Sequence, residues 1–172
     1  MELEIVTSEE HFNEDSLEGA KMAKQYLHEL LNLPHSGLLE HEIIINVNKM
    51  LLRNNKGGYS QHERITSYKG HVKLYCEPTD IYNRMQTAID RFNEKAFYKH
   101  LVCESLAEFV FDFLEIHPFS DGNGRTVKFL IFYVLKGFQR INSFYCLEYP
   151  KWCEIIHHKS YKLILEWFRN MQ

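Results

Sequence analysis

"FDFLEIHPFSDGNGRTVKFLIFYVL", residues 111–135, sets two apolar runs on either side of a short polar turn. Upstream, Leu101, Leu106, Phe109, Val110, Phe113 and Leu114 recur at helical intervals. Downstream, residues 125–138 are apolar over most of their girth. A helix apolar nearly all round is buried on every side, so these two segments are the expected centre of the fold. Pro118 disfavours helix at His117, which should therefore end the first of them. Phe119, the apolar residue of the polar turn, is expected to plug into the core.

Working outward, "SLEGAKMAKQYLHELLNL" (16–33) spaces its apolar residues as a helix and stops before Pro34. "GLLEHEIIINVNKMLLRN" (37–54) reads as a second helix, although "IIINV" has β character. "NNKGG" then breaks the chain, and the alternation from Tyr59 to Glu77, interrupted by "YKGH", predicts a short β-hairpin. After Pro78, a Thr79/Asp80 start signal precedes a stripe of Ile81, Met85, Ile89 and Phe92. "PKWCEIIHHKSYKLILEWFRN" (150–170) is expected to be one closing helix. The predicted fold class is all-α, a helical bundle with one small hairpin.

Composition narrows the function. A chain of 172 residues with 45% apolar residues, 8 Gly and 4 Pro is an ordered domain with a proper core. A net charge of −3, with acids and bases interspersed, offers no basic field for nucleic acid. The longest apolar run, Phe129–Leu135, is far short of the roughly 20 residues that span a bilayer, and the acidic start lacks a signal core. Four cysteines, Cys76, Cys103, Cys146 and Cys153, form no CxxC pair and suit reduced thiols. The expectation is a cytoplasmic protein with neither nucleic acid nor membrane as partner. Cys153, His157 and His158 share a predicted helix, but adjacent histidines point in different directions and make a poor zinc site.

The turn "HPFSDGNGR" carries the chemistry. A histidine ordinarily titrates near neutrality, so His117 is expected to be able to take a proton from a hydroxyl. Asp121 is a hard oxygen ligand of the kind Mg²⁺ takes beside nucleotide phosphates. Gly122, Asn123 and Gly124 can aim several backbone N–H groups at one anion, at a helix start where the dipole favours negative charge. Arg125 can grip phosphate through two N–H groups, and Lys128 adds a second cation one turn on. "DGNG" alone is an ordinary turn, and a histidine before proline is commonly a capping residue. The combination of base, carboxylate, glycine nest and cation is far more specific.

"HPFSDGNGR" resembles the signature of the Fic family, HxFx(D/E)GNGRxxR, whose members are mostly protein adenylyltransferases. The match runs through Arg125 and departs at Lys128, where the family has arginine; the resemblance extends over residues 38–168. It implies a Fic-type helical bundle with a hairpin flap, residues 38–172 forming the Fic domain behind an N-terminal helical segment, 1–37. It also implies transfer of AMP from ATP to a Ser, Thr or Tyr hydroxyl of a target protein, with pyrophosphate released. His117 would be the base, Asp121 the Mg²⁺ ligand, and the Gly122–Asn123–Gly124 backbone, with the Asn123 side chain, the phosphate cradle. Arg125 would stabilise the phosphate charge, and Lys128, lacking the arginine fork, would weaken the grip or alter regulation. The flap, around Arg64 to His71, would align the target by strand-like pairing. Tyr149 and Trp152 would line the adenine pocket.

Many Fic proteins carry an inhibitory helix of pattern (S/T)xxxE(G/N). "EDSLEG" supplies Glu18-Gly19 but has Glu14 where the Ser or Thr would stand, so Glu18 reads either as a regulatory glutamate or as a solvated helix residue. The same site run in reverse would remove AMP from a modified protein, and some relatives transfer other groups, UMP or phosphocholine among them. A nucleotide-binding module without catalysis would need no base, which argues against it. A homo-oligomer is among the assembly states that the sequence leaves open.

Overall fold

The computed structural model describes residues 14–53, 57–68, 70–140, 154–155 and 160–171. It is an all-α fold with one antiparallel hairpin, in the order α1 (Glu14–Leu31), α2 (His41–Leu52), β1 (Ile65–Tyr68), β2 (His71–Leu74), α3 (Ile81–Ala96), α4 (Val102–Ile116), α5 (Asn123–Gly137) and α6 (Tyr161–Asn170). The two segments read as central are central. Helix α4 packs on α3, α5 and α6, while α5 also packs on α1 and α2. Along α5 every residue from Thr126 to Leu135 is buried.

Each element follows from its sequence with a few instructive departures. Helix α3 buries the predicted stripe, Ile81, Met85, Ile89 and Phe92, together with Ala88 and Ala96. The Thr79/Asp80 signal does not cap it; a 3-10 turn over Pro78–Asp80 feeds into the helix, and Asp80 makes no side-chain cap bond. Helix α2 starts four residues later than its apolar pattern, because Leu39 is held outside it. The Asn93 amide of α3 donates to Leu39 O at 2.8 Å and accepts from Leu39 N–H at 2.9 Å. The expected single closing helix is interrupted at Ser160, which is extended and accepts Leu163 N–H on its Oγ at 3.3 Å. That serine is an N-cap, and α6 begins after it.

A line of tilted aromatic rings runs through the core to the polar turn: Phe92 to Phe109 (6.0 Å), Phe109 to Phe113 (6.0 Å), Phe113 to Phe119 (6.3 Å) and Phe119 to Tyr59 (5.4 Å). Phe119 is fully buried, so the turn between α4 and α5 is anchored from beneath. The hairpin pairs Ile65 with Leu74 and Tyr68 with His71, turning through Gly70 at φ 80°. Its Ile65, Val72 and Leu74 side chains are exposed. No helix among the described residues is long and apolar enough to cross a membrane.

Candidate active site

Helix α4 ends at His117, which takes a left-handed conformation (φ 51°, ψ 62°) while its N–H still bonds to Phe113 O at 2.8 Å. A non-glycine residue is uncommon there and must be held in place. The clamp is Arg64, at the foot of β1. Its guanidinium is buried and donates to four carbonyls: His117 O (2.8 Å), Ile116 O (3.1 Å), Cys76 O (2.8 Å) and His62 O (3.2 Å). A cation at the negative end of α4 satisfies carbonyls that the helix leaves unpaired. Arg64 thus faces inward, and the outward surface of the hairpin begins beyond it.

The imidazole of His117 lies against the Tyr75 ring, with centroids 4.1 Å apart and planes 14° from parallel. Its pKa is lowered to about 4, first by burial, then by the nearby charges of Arg64 and Lys73, with Asp121 opposing. The ring is therefore neutral at physiological pH, as a base must be.

Gly122, at φ 76°, turns the chain into α5, and a side chain on it would press on Asn48 Nδ2 and Leu52. Asn48 is a buried polar residue of α2 whose Nδ2 donates to Asp121 O and to Thr126 Oγ1, both at 3.0 Å. From the other side Ser60 N–H donates to Pro118 O (2.8 Å), and the Ser120 hydroxyl donates to Ser60 Oγ (2.9 Å). The Asn123 side chain is spent inside the turn: Oδ1 accepts Phe119 N–H (3.0 Å) and Nδ2 donates to Phe119 O (2.7 Å). The Asn123 backbone N–H is open. The first α5 amide to find a carbonyl is that of Thr126, bonded to Gly122 O at 2.8 Å. The N–H groups of Asn123, Gly124 and Arg125 precede it and have no partner among the described residues. Three open amides at the start of a buried helix are able to receive an anion.

Asp121 is largely exposed; its Oδ1 accepts Gly122 N–H (2.6 Å) and its Oδ2 is 3.3 Å from Arg125 Nη2. No cluster of three or more His, Cys, Asp or Glu among the described residues could hold a metal by itself. A single exposed carboxylate in front of an anion site suits Mg²⁺, which takes few protein ligands and completes its shell with phosphate oxygens and water. Lys128 is nearly buried on α5. Glu18 is about half exposed on α1 and pairs with Lys21 at 3.9 Å; no bond or ion pair joins it to Arg125 or Lys128. Trp152, Tyr149 and the Cys153, His157 and His158 trio lie outside the described residues.

Sequence reasoning missed Asn48, Ser60 and Tyr75, and it assigned Arg64 to the target-facing flap. Asn48 left one signal, an amide on the face of α2 that otherwise buries Ile44, Val47 and Leu51. Ser60 and Tyr75 left none, since their partners are distant in sequence.

A helical bundle whose central helix–turn–helix presents a histidine, a carboxylate and open amides beneath a hairpin defines a Fic-type domain. Residues 38–135 match the Fic/DOC family, and the chain belongs to it. Members of that family are in general transferases that act on proteins. Among solved structures, a Fic domain containing signaling protein from Bacteroides thetaiotaomicron superposes with a TM-score of 0.67 at 21% identity, covering 88% of this chain and 63% of that one. A fragment of Fic-1 from C. elegans superposes with a TM-score of 0.67 at 18% identity, covering 98% of this chain and 52% of that one. The chain spans less than two thirds of either, and at such identities the likeness is one of fold. A 56-residue stretch is 45% identical to part of the ribonucleoside-diphosphate reductase small chain of Ostreid herpesvirus 1 (isolate France), covering 33% of this chain and 9% of that protein.

Proposed function

We propose that the chain is a protein adenylyltransferase, moving AMP from Mg-ATP to a Ser, Thr or Tyr hydroxyl of a target protein. The observation that carries the reading is the set of open amides of Asn123, Gly124 and Arg125 directly after the turn that presents a neutral His117. The amides and Arg125 hold the α- and β-phosphates of ATP. His117 takes the proton from the target hydroxyl as its oxygen bonds to the α-phosphorus. The bond from the α-phosphorus to the bridging oxygen breaks, and pyrophosphate leaves. Asp121 would hold Mg²⁺, which would supply charge neutralisation to the phosphates. Negative phosphates near His117 raise its affinity for the proton above that of the free site, which brings the base closer to its task.

The hairpin supports the recognition half of the reading. It is a two-stranded sheet with exposed apolar side chains, the form of edge to which an extended target segment adds as a strand. Autoinhibition by Glu18 has less behind it, since that carboxylate is exposed and paired with Lys21.

The experiment is incubation with ATP labelled at the α- or the γ-phosphate, Mg²⁺ and lysate, comparing wild type with His117→Ala and Glu18→Gly. Adenylylation labels protein bands from α- but not γ-labelled ATP, and His117→Ala abolishes the label. Label from the γ position, or wild type and Glu18→Gly both matching His117→Ala, removes the proposal. Glu18→Gly matching an active wild type leaves Glu18 a surface residue; a gain makes it regulatory.

A further inference from the structure

A general base needs its ring turned to one orientation, and in most sites a third group fixes that orientation by a hydrogen bond to the second ring nitrogen. Among the described residues neither imidazole nitrogen of His117 has a hydrogen-bond partner, and Arg64 holds only the backbone carbonyl of that residue. What lies flat against the imidazole is the ring of Tyr75, 4.1 Å away.

Tyr75 is itself held from several directions. Its N–H donates to Arg64 O at 3.1 Å, so the clamp that fixes the His117 backbone also fixes the tyrosine backbone. Its hydroxyl is 2.8 Å from the Thr66 hydroxyl on the facing strand. The Lys73 ammonium stands 5.2 Å from its ring centroid and is tied to Glu115 of α4 at 2.8 Å. The ring thus belongs to the hairpin, while the imidazole belongs to the α4–α5 turn.

We propose that Tyr75 is a positioning residue for His117, holding the imidazole by a face-to-face stack so that one nitrogen points to the incoming hydroxyl. This rests on the reading of His117 as the base. The stack limits rotation of the imidazole about its side-chain bonds. It also places a π-face beside the ring at the moment it becomes cationic, an attraction absent from the neutral ground state. The charged groups around the pair are Arg64 and Lys73 from the hairpin, Glu115 from α4 and Asp121 from the turn. None of them bonds the imidazole. The hairpin therefore does two jobs, presenting the target on its outer side and aiming the base from its foot.

The test compares Tyr75→Leu, which removes the ring, with Tyr75→Phe, which keeps the ring and loses the Thr66 bond. Expected is a fall in kcat of roughly 10- to 100-fold for Tyr75→Leu with KM for ATP within about twofold, and recovery to within about threefold in Tyr75→Phe. Two-dimensional NMR of the wild type should show the His117 ring protons shifted upfield with cross-peaks to the Tyr75 ring, kept in Tyr75→Phe and lost in Tyr75→Leu. An unchanged kcat in Tyr75→Leu, or equal losses in both variants, overturns the stack as the device. So does a wild type without the cross-peaks, a measurement that stands even if Tyr75→Leu does not fold. If the wild type transfers no label, the adenylyltransferase reading is what fails, and the NMR result still decides whether Tyr75 holds His117.

Discussion

At the scale of single residues, His117 shows how a candidate site residue is legible while its chemistry is not. "HPF" announces a histidine at a helix end, and the structure puts it there. The lowered pKa comes from burial and from Arg64 and Lys73, which stand 53 and 44 positions away in the chain. The consequence is testable through stability. In the folded protein the ring binds its proton near pH 4, against an ordinary value of 6.5. Above pH 6.5 both folded and unfolded forms are neutral and the histidine makes no difference. Between pH 6.5 and 4 the unfolded chain takes the proton and the folded chain does not, so stability falls as pH falls through that window. For a ring that is only partly buried, the loss at pH 4.5 relative to pH 7 is about 2 kcal/mol. Urea unfolding of wild type and His117→Asn at both pH values isolates it: the variant should lose less on acidification by that amount. If His117 is the base of the proposed transfer reaction, the acid limb of kcat/KM, which reports the free protein, should lie near pH 4 rather than 6.5.

At the scale of elements, apolar periodicity identified α3, α4 and α5, and the alternation with Gly70 identified the hairpin. These signals are local, since a stripe or an alternation lies within one segment. Boundaries held by distant partners were not legible. Nothing near Leu39 tells of Asn93, 54 positions on, which delays the start of α2. Ser160 sits in an unbroken helical pattern and still acts as a cap. The same blindness hid the role of Arg64, because a polar residue beside a strand reads as solvent-facing. Replacing it by methionine keeps much of the volume but leaves the carbonyls of Ile116, His117, Cys76 and His62 without their donor. The expected cost is about 3 kcal/mol, the lower part of what several buried charge-assisted bonds would give. Arg64→Lys should recover only part, since an ammonium lacks the fork that spans several carbonyls at once. Urea unfolding gives both numbers. Hydrogen exchange on β1 and β2 should rise in Arg64→Met before the α4 and α5 amides respond, because the clamp ties the hairpin foot to the helix end.

At the scale of the whole molecule, the question is how α1 relates to the site. "LEG" reads as part of an inhibitory motif, yet the structure gives its two last residues separate fates. Glu18 is exposed, whereas Gly19 is buried where α1 crosses α2. A Cβ on Gly19 would stand 2.5 Å from Met50 O and 2.8 Å from Leu51 O, both backbone atoms of α2. Two effects then compete in Gly19→Ala. Helix propensity favours alanine by about 1 kcal/mol. The clash cannot be relieved by turning a side chain, so α1 must move off α2, losing contacts of Ala23 and Leu27 in the shared core, at a cost of about 1–3 kcal/mol. The clash should win, giving net destabilisation of about 1–2 kcal/mol in urea unfolding, while Glu18→Gln stays within about 0.5 kcal/mol of wild type. Met50 and Leu51 follow Asn48 on α2, whose amide holds the turn at Asp121 and Thr126. An α2 no longer braced by α1 holds the turn less firmly from behind, and under the proposed function Gly19→Ala should raise KM for ATP while Glu18→Gln does not. If Gly19→Ala is instead more stable than wild type, propensity has won and α1 lies farther from α2 than the crossing described.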